Sequence, residues 1–209
     1  FIGSGVWRPR SLGVKGESLG NCHFAVDYLQ NPDVYQLGDR VAVIGSGNSA
    51  MDVARTAIRK GSRYVTVYAR HDEVSASQRE FEYAQADGVE FEYFKGVGSI
   101  TPRGPMMTEL HYDEAGKLIG EDEPTLFKAD STIIAVSQRP KDKIVRTTTG
   151  IETNNKGLVE VDESGATTRE GVFSGGDVVL GPWNVVQAVK DAKKVADTMD
   201  AYLTRKREY

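Results

Sequence analysis

A strand followed by a glycine turn and a helix is the feature that most constrains the fold of this chain. The segment reads Arg40-Val-Ala-Val-Ile-Gly-Ser-Gly-Asn-Ser-Ala-Met-Asp52. Its apolar residues 41–44 are typical of a buried parallel strand, and the small residues that follow favour a helix packed closely against it. A second short strand, Tyr64 to Ala69, completes a βαβ unit. The chain is therefore predicted to contain a parallel sheet.

The small residues of the turn have separate uses in a phosphate-binding loop. Gly45 allows the sharp turn, Gly47 lets a pyrophosphate approach bare backbone, and Ala50 lets the new helix pack close to the strand. The helix N-terminus offers unpaired N–H groups and the positive end of its dipole to the phosphates. The pattern predicts a dinucleotide site. The alternative is a tight turn whose glycines are only structural.

The end of the second strand indicates which dinucleotide would bind. An NAD site usually has Asp or Glu there to bond the ribose 2′-hydroxyl. This chain has Arg70 and His71 instead, and Arg79 follows. A 2′-phosphate favours guanidinium donors, because their hydrogen bonds to phosphate are charge-assisted and often bidentate. NADP(H) is therefore preferred, while Asp72 keeps NAD(H) as an alternative and Arg70 could be only a solvated residue.

Composition argues against several other functions. Lys and Arg number 26 against 30 Asp and Glu, which gives no reason to expect nucleic acid or a membrane surface as a partner. No apolar run approaches the roughly 18 residues of a membrane helix. The single Cys22 excludes an internal disulfide or a cysteine-ligated cluster, and the histidines lack metal-ligand spacing. We expect no metal site and a cytoplasmic location.

Beyond the βαβ unit the pattern stays α/β. A helix is expected over 78–87, a strand near Val89, an antiparallel excursion between 106 and 128, and a buried strand from Ser131. Two short strands are expected at 157–162 and 171–174. The last helix, Val185 to Leu203, is predicted to face the core through one apolar stripe. The stripe consists of Val185, Val189, Ala192, Ala196, Met199 and Leu203.

Three motifs make the chain resemble a known family. They are Leu12-Gly-Val-Lys-Gly-Glu17, Gly45-Ser-Gly-Asn-Ser-Ala-Met-Asp-Val-Ala-Arg55 and Gly175-Gly-Asp177. Their order is similar to that of the glutamate synthase small subunit, an FAD- and NADPH-dependent oxidoreductase with two dinucleotide-binding domains. The resemblance implies a Rossmann-like NAD(P)-binding domain, with a parallel sheet, helices on both faces and an antiparallel excursion, beside part of a split FAD-binding domain. The implied divisions are 1–20 (FAD-domain remnant and crossover), 21–143 (NAD(P)H-binding domain) and 144–209 (C-terminal segment of the FAD domain).

The resemblance also implies cofactor-binding residues. The NADPH pyrophosphate would lie at Gly45, Gly47, Asn48, Ser49 and Ala50, and the 2′-phosphate at Arg70, His71 and Arg79. FAD would be bound through Gly176 and Asp177, whose aspartate matches one that bonds a ribityl hydroxyl, and beside Asn184, Val185 and Val186 at the flavin pyrimidine edge. For Asp177 the alternative is an ordinary Gly-Gly-Asp turn.

The chain departs from the family pattern in several places. Ala69 stands where the first of two arginines is usual, Ser137 stands where glycine is usual, and Val74-Ser75 often reads Met-Pro. The family's first FAD glycine loop lies upstream of the segment that begins at Phe1. We therefore expect this chain to be a piece of a longer protein and, alone, to bind FAD only weakly.

Two functions remain open from the sequence. In one, the chain is the NADPH-binding portion of a flavoenzyme that passes hydride to FAD and electrons to a partner subunit or iron–sulfur centre. In the other, it is a non-catalytic dinucleotide-binding regulatory module. The Gly175-Gly-Asp177 segment favours the enzyme, because a regulatory module would not need half of a flavin site. No catalytic side chain is expected, since hydride transfer draws its chemistry from the cofactors.

Overall fold

The parallel sheet predicted around the glycine turn is present in the computed structural model, which describes residues 1–141 and 143–207. The chain divides into two units. Residues 9–137 form one, here called the sheet unit. Residues 1–8, 138–141 and 143–207 form the other, here called the terminal unit. Residues 208 and 209 of the expected segment 144–209 lie outside the described residues.

The strands of the chain are β1 Arg8–Pro9, β2 Cys22–Phe24, β3 Arg40–Ile44, β4 Tyr64–Tyr68, β5 Glu90–Glu92, β6 Lys95–Thr101, β7 Gly104–Tyr112, β8 Leu118–Glu121, β9 Thr125–Leu126, β10 Ser131–Ile134 and β11 Gln138–Arg139. The α-helices are α1 Ala25–Gln30, α2 Asn48–Arg59, α3 Gln78–Ala86, α4 Lys143–Arg146, α5 Asp177–Leu180 and α6 Val185–Arg207. A short 3-10 helix covers Pro32–Val34.

The sheet unit is built around five parallel strands in the order β2-β10-β3-β4-β5. In β3, Val41 lies opposite Val65 of β4 and Ser131 of β10, and both pairings are parallel. The predicted βαβ unit is therefore confirmed. Strands β4 and β5 continue the sheet to one edge, with Val67 opposite Phe91. Because parallel strands end together at one edge, the loops after β3, β4 and β10 are neighbours.

Alternate residues of the strands face different layers. Val41 and Val43 of β3 face a core that they share with helices α1, α2 and α3. Ala42 and Ile44 face the other side, where they meet Met107 of β7. This alternation follows from the two-residue repeat of a strand. Helix α2 packs on its side through three fully buried alanines, Ala50, Ala54 and Ala57.

The second face of the parallel sheet is covered by an antiparallel sheet. Strands β6, β7 and β8 pair in that order, and β9 also pairs with β7. The expected antiparallel excursion and the α/β class are confirmed. The expected helices on both faces need correction, because the described residues place α1, α2 and α3 on one face and this antiparallel sheet on the other.

Residues 9–20 belong to the sheet unit, which corrects the expected boundary after residue 20. The amide of Ile100 donates to the carbonyl oxygen of Lys15 at 2.7 Å. Leu12, Val14 and Leu19 pack on a buried cluster that includes Cys22. These contacts attach the segment to β6 and β10. At the other boundary, residues 138–141 and 143 fall in the terminal unit and not in the sheet unit.

Tight turns and single bridges replace the two short strands expected in the terminal unit. The bridges join Thr153 to Val159 and Ala166 to Phe173. The Asp162 carboxylate accepts hydrogen bonds from the amides of Ser164 and Ala166 at 2.8 and 3.0 Å. Because such turns follow one another closely, the extended pieces between them are too short for a ladder. The pieces nevertheless enclose a small core of Val145, Val159 and Val178.

Helix α6 faces its core with a different side from the one predicted. Of the expected stripe, Val185, Val189 and Leu203 are exposed, whereas Val195, outside the stripe, is only 1% exposed. The methyl groups of Val195 fit against Gly165 and Gly175, where a Cβ atom would lie 2.4 and 3.3 Å from them. The helix thus turns Val195 inward because two glycines leave room for it.

Ser137 has a backbone conformation that favours glycine, with φ at +93°. This is the position at which the resembled family usually has glycine. We predict that Ser137→Gly stabilises the protein by about 0.5–1 kcal/mol, because relief of the left-handed strain exceeds the added entropy of the unfolded chain. Urea unfolding measures the change. Ser137→Ala keeps a Cβ atom and should give no gain; a gain equal to that of glycine would contradict the explanation.

Candidate functional site

Gly45 directly follows β3, at a point where the fold leaves no room for a side chain. Its φ is +119°, and a Cβ atom there would lie 2.5 Å from the carbonyl oxygen of Ala135, at the end of the neighbouring β10. Its amide donates to the carbonyl oxygen of Tyr68 at 3.1 Å. Glycine at this position is therefore required by the protein itself, where the ends of three strands meet.

Gly47 is different, because nothing in the protein requires a glycine there. Its φ is −83°, and a Cβ atom would meet only the Ser75 hydroxyl, at an ordinary 3.6 Å. Gly47 is the N-cap of α2 and supplies no side-chain cap. The amides of Asn48 and Ser49, at the start of the helix, have no carbonyl partner within it, whereas the Ala50 amide donates to the Gly47 carbonyl oxygen at 2.9 Å. The loop thus presents bare backbone and a helix dipole, which together can accept an anion.

The end of β4 leaves one arginine unengaged. Ala69 is 1% exposed, and its amide and carbonyl groups bond to Glu92 and Lys95 at 2.8 and 2.9 Å. The position where the family has its first arginine is therefore buried here. Arg70 is exposed, and it has no hydrogen-bond or ion-pair partner among residues 1–141 and 143–207. Its guanidinium remains available to a ligand.

His71 and Arg79, the other two residues predicted for the 2′-phosphate, are each held by a tyrosine. The ring of His71 lies 5.1 Å from that of Tyr112. Arg79 Nε donates to the Tyr83 hydroxyl at 3.0 Å, and this hydrogen bond raises the pKa of Arg79. No contact joins Arg70, His71 and Arg79 to one another in the described structure. A common ligand would have to bring them together.

A set of hydrogen bonds joins the glycine loop to the loop after β4, residues 70–77. The Asn48 Oδ1 atom accepts from the amide of Ser77 at 2.8 Å. The carbonyl oxygen of Ser46 accepts from the amide of Ala76 at 2.9 Å, and its hydroxyl accepts from the Ser75 amide at 3.4 Å. The pyrophosphate and 2′-phosphate candidates are therefore parts of one connected structure.

Sequence reasoning missed the serines of these contacts. One signal was present: Ser77 and Glu80 have the spacing of a capping box, and Ser77 is indeed the N-cap of α3, accepting from the Glu80 amide at 3.4 Å. That signal fixes where α3 begins. It gives no information about the contact with Asn48, which is 29 residues away in the chain.

Helices α2 and α3 are also joined by an ion-pair network. Arg55 donates to Glu80 at 3.0 Å and to Asp87 at 2.9 Å, and Arg59 reaches Asp87 at 3.0 Å. The hydrogen bond from Arg55 is the main cause that lowers the pKa of Asp87. The helix that carries Arg79 is thus fixed against the helix that begins at the glycine loop.

The second predicted site lies in the terminal unit, at a cavity of about 340 Å³. Gly176 and Asp177 line it together with Trp7 and Gln138. The half-buried Asp177 carboxylate has no hydrogen-bond partner among the described residues. The Gly176 amide, by contrast, donates to Asp191 on α6 at 2.6 Å. An unpaired carboxylate beside a cavity can accept hydrogen bonds from ligand hydroxyl groups.

The other residues predicted for FAD do not line this cavity. Asn184 caps α6, with its Oδ1 atom accepting from the Gln187 amide at 2.9 Å. Val185 and Val186 are each 78% exposed. The residues that α6 contributes to the cavity lie about one and two turns further along, at Ala188 and Ala192. The structure therefore places Gly176 and Asp177 together and leaves Asn184, Val185 and Val186 outside the cavity.

Three further observations concern metals, membranes and the Cys22 thiol. Within residues 1–141 and 143–207, no group of His, Cys, Asp and Glu is arranged to hold a metal ion. In the same residues no helix is long and apolar enough to cross a membrane. Burial, with a smaller effect of the Glu17 charge, raises the pKa of Cys22 to about 11. Its thiol therefore stays protonated at neutral pH and is a poor nucleophile.

Known proteins share both the sequence and the fold. The chain is 33% identical to the glutamate synthase (NADPH) small chain of Halomonas elongata over 97% of its length, and 31% identical to that of Azospirillum brasilense over 100%. It covers 49% of each, so it spans about half the length of these relatives. The thioredoxin reductase of T. acidophilum superposes with a TM-score of 0.75 at 22% identity, over 97% of this chain and 65% of that one.

These matches confirm the resemblance to the glutamate synthase small subunit and the α/β fold. Residues 1–192 match the family described as pyridine nucleotide-disulphide oxidoreductase, which is most of the 209-residue sequence. The chain therefore belongs to the pyridine nucleotide-disulphide oxidoreductase family.

Proposed function

We propose that this chain is the NADPH-binding portion of a flavin-dependent oxidoreductase. The observation that carries the proposal is the glycine loop. Gly45 is needed by the fold, but Gly47 is not, and its bare backbone stands at the uncapped N-terminus of α2. A glycine without a structural use, at a site suited to an anion, is explained by a ligand that must approach the backbone.

The preference for NADPH rests on Arg70 and its neighbours. An unpaired, exposed guanidinium follows the strand that a dinucleotide-binding fold uses to read the adenosine ribose. No carboxylate takes that place, although Asp72 is two residues further on. The two glutamate synthase small chains carry NADPH in their names, which agrees with this choice. Gly45, Gly47, Asn48, Ser49 and Ala50 form the loop at which the pyrophosphate would lie.

The flavin part of the proposal rests on Asp177. Its unpaired carboxylate at a cavity fits one partner of a ribityl chain, while the described residues offer no second glycine loop for the flavin pyrophosphate. When both cofactors are bound, the nicotinamide supplies a hydride and the flavin takes it. The chain's own residues bind and orient. Electrons would then pass to a partner subunit or iron–sulfur centre; the name small chain, which the relatives carry, agrees with a partner subunit.

The alternative function is a non-catalytic dinucleotide-binding regulatory module. Such a module would bind the nucleotide through the same glycine loop and the same Arg70. This alternative does not explain why an unpaired Asp177 lies at a cavity. Flavin in the full-length protein distinguishes the two, because a regulatory module would be colourless. Neither function calls for nucleic acid or a membrane as a partner, and the cytoplasmic location remains a prediction.

Alanine at the two loop glycines should affect different properties: nucleotide affinity at Gly47 and stability of the fold at Gly45. Gly47→Ala fits the protein, so its free energy of unfolding should change by less than about 0.5 kcal/mol. Its methyl group would block the pyrophosphate and weaken NADPH and NADH alike by more than about tenfold. Gly45→Ala should destabilise the fold by about 2–4 kcal/mol through overlap with the Ala135 carbonyl and the positive φ. Unimpaired nucleotide binding by a folded Gly47→Ala variant would contradict the proposed site.

Arg70→Ala should separate the two nucleotides. Loss of a charged hydrogen-bond partner costs about 1.5–3 kcal/mol, or about 10- to 150-fold in NADPH affinity, and NADH affinity should barely change. Calorimetric titration measures both. Arg63→Ala, which removes an exposed charge just before β4, is the matched control and should have little effect on either. Equal losses for both nucleotides in Arg70→Ala would mean that Arg70 supports the loop, and tighter NADH binding by the wild type would overturn the cofactor assignment.

The purified 209-residue chain should be colourless. Asp177 alone cannot enclose the adenosine and pyrophosphate of FAD, so any flavin should be lost on gel filtration. Absorbance near the flavin bands before and after the column measures retention. The matched protein is the full-length parent, which should elute yellow. Stoichiometric FAD retained by the chain itself would show that the described residues form a more complete flavin site than proposed.

A further inference from the structure

We propose that the Asn48 side chain is a positioning residue, which sets the preference for NADPH over NADH by holding the 70–77 loop. The inference rests on the proposed function, and it changes the role expected for Asn48 from the sequence. From the sequence, Asn48 was expected to bind the NADPH pyrophosphate. The geometry instead directs its amide oxygen to the amide of Ser77, at the end of the loop that begins with Arg70.

The polarity of this hydrogen bond is fixed. A backbone amide can only donate, so the atom of Asn48 that meets Ser77 must be the oxygen. The side-chain oxygen is an acceptor and cannot bind a phosphate. With the oxygen directed to Ser77, the Nδ2 group faces away from that contact. The side chain therefore gives its acceptor to the loop. In this proposal the phosphates are bound by the backbone amides around Gly47 and by the helix dipole, and the Asn48 variants test whether the Nδ2 group binds the pyrophosphate instead.

The 70–77 loop is held at both ends. Its start is fixed where Ala69 bonds to the backbone of Glu92 and Lys95. Its end is fixed by Asn48 at Ser77 and by the carbonyl oxygen of Ser46 at Ala76. Between these points the exposed residues include Arg70 and His71. A loop held at both ends loses less conformational entropy when it meets a phosphate, so the contact improves affinity without touching the ligand.

The contact also orients α3. Ser77 is the N-cap of that helix, and Arg79 lies in its first turn. Further along, Glu80 and Asp87 are fixed to α2 through Arg55. Asn48 thus supplies the attachment nearest the start of α3, and the ion pairs of Arg55 and Arg59 lie further along. Its loss should free the helix start, with Arg79, while the ion pairs keep the remainder in place.

Asn48→Ala and Asn48→Asp separate positioning from direct binding. Alanine removes the acceptor, so the ratio of NADPH to NADH affinity should fall by about three- to tenfold. Aspartate keeps an acceptor for Ser77 but adds a negative charge beside the pyrophosphate. It should weaken both nucleotides by similar factors and preserve the ratio. Calorimetric titration of the 209-residue chain measures the affinity of each variant for NADPH and for NADH. The same two affinities are measured for the wild type.

Gln78→Ala is the matched control on α3. Gln78 is exposed beside Ser77, and its side chain donates only to Glu82, at 2.9 Å, among the described residues. Its substitution should leave the affinity ratio unchanged. If Asn48→Ala weakens both nucleotides equally, Asn48 binds the pyrophosphate and the proposal is wrong. If Asn48→Asp lowers the ratio as much as alanine does, the acceptor is not what matters, and the proposal is equally wrong.

Hydrogen exchange without nucleotide tests the contact apart from the proposed function. In Asn48→Ala, amide exchange of a peptide that covers 74–78 should speed up, while exchange over 41–44 stays unchanged. Unchanged exchange over 74–78 would overturn the positioning role. Faster exchange together with a wild type that shows no preference for NADPH would leave the contact standing and overturn the proposed cofactor instead.

Discussion

The close approach between the ends of β3 and β10 is the constraint on which the candidate site depends. The carbonyl oxygen of Ala135 occupies the space that a side chain at Gly45 would need. Because of this contact, the chain must leave the sheet sharply and enter α2 after only three residues. The start of α2 is thereby brought to the edge where β4 also ends, beside the loop that carries Arg70. Packing within the sheet, and not the ligand, places the glycine loop.

Local patterns predicted the parts of the fold that depend on neighbouring residues. The apolar run of β3, the small residues of α2 and the short strand after them were each predicted, because a buried parallel strand and its helix leave strong signals. Strand β6 was not predicted, since its Gly96 and Gly98 weaken any strand pattern and its stability comes from pairing with β7. The inward face of α6 was predicted wrongly because glycines distant in sequence select Val195.

The candidate site, like the fold, was predictable where the signal is local and unpredictable where it depends on tertiary contacts. The sequence indicated Gly45, Gly47 and Ala50 through their spacing, and Arg70 through its place after a strand. It could not indicate that Ser46 and Asn48 contact residues 75–77, because that contact joins two loops through the tertiary fold. The sequence also could not show that Gly45 and Gly47 differ in the room they have for a side chain. Only the neighbouring atoms show that one is needed by the protein and the other is free for a ligand.

Burial of Ala69 limits how cofactor preference can evolve in a chain of this kind. An arginine there, which the resembled family usually has, would need its neighbours repacked so that the guanidinium reaches the surface, because they now enclose an alanine that is only 1% exposed. Burying an unpaired charge costs several kcal/mol, which is a large part of a domain's stability. Selection for tighter binding of a 2′-phosphate would therefore act on the exposed residues of the 70–77 loop, which follows β4. Adaptation is directed to residues that can change without endangering the fold.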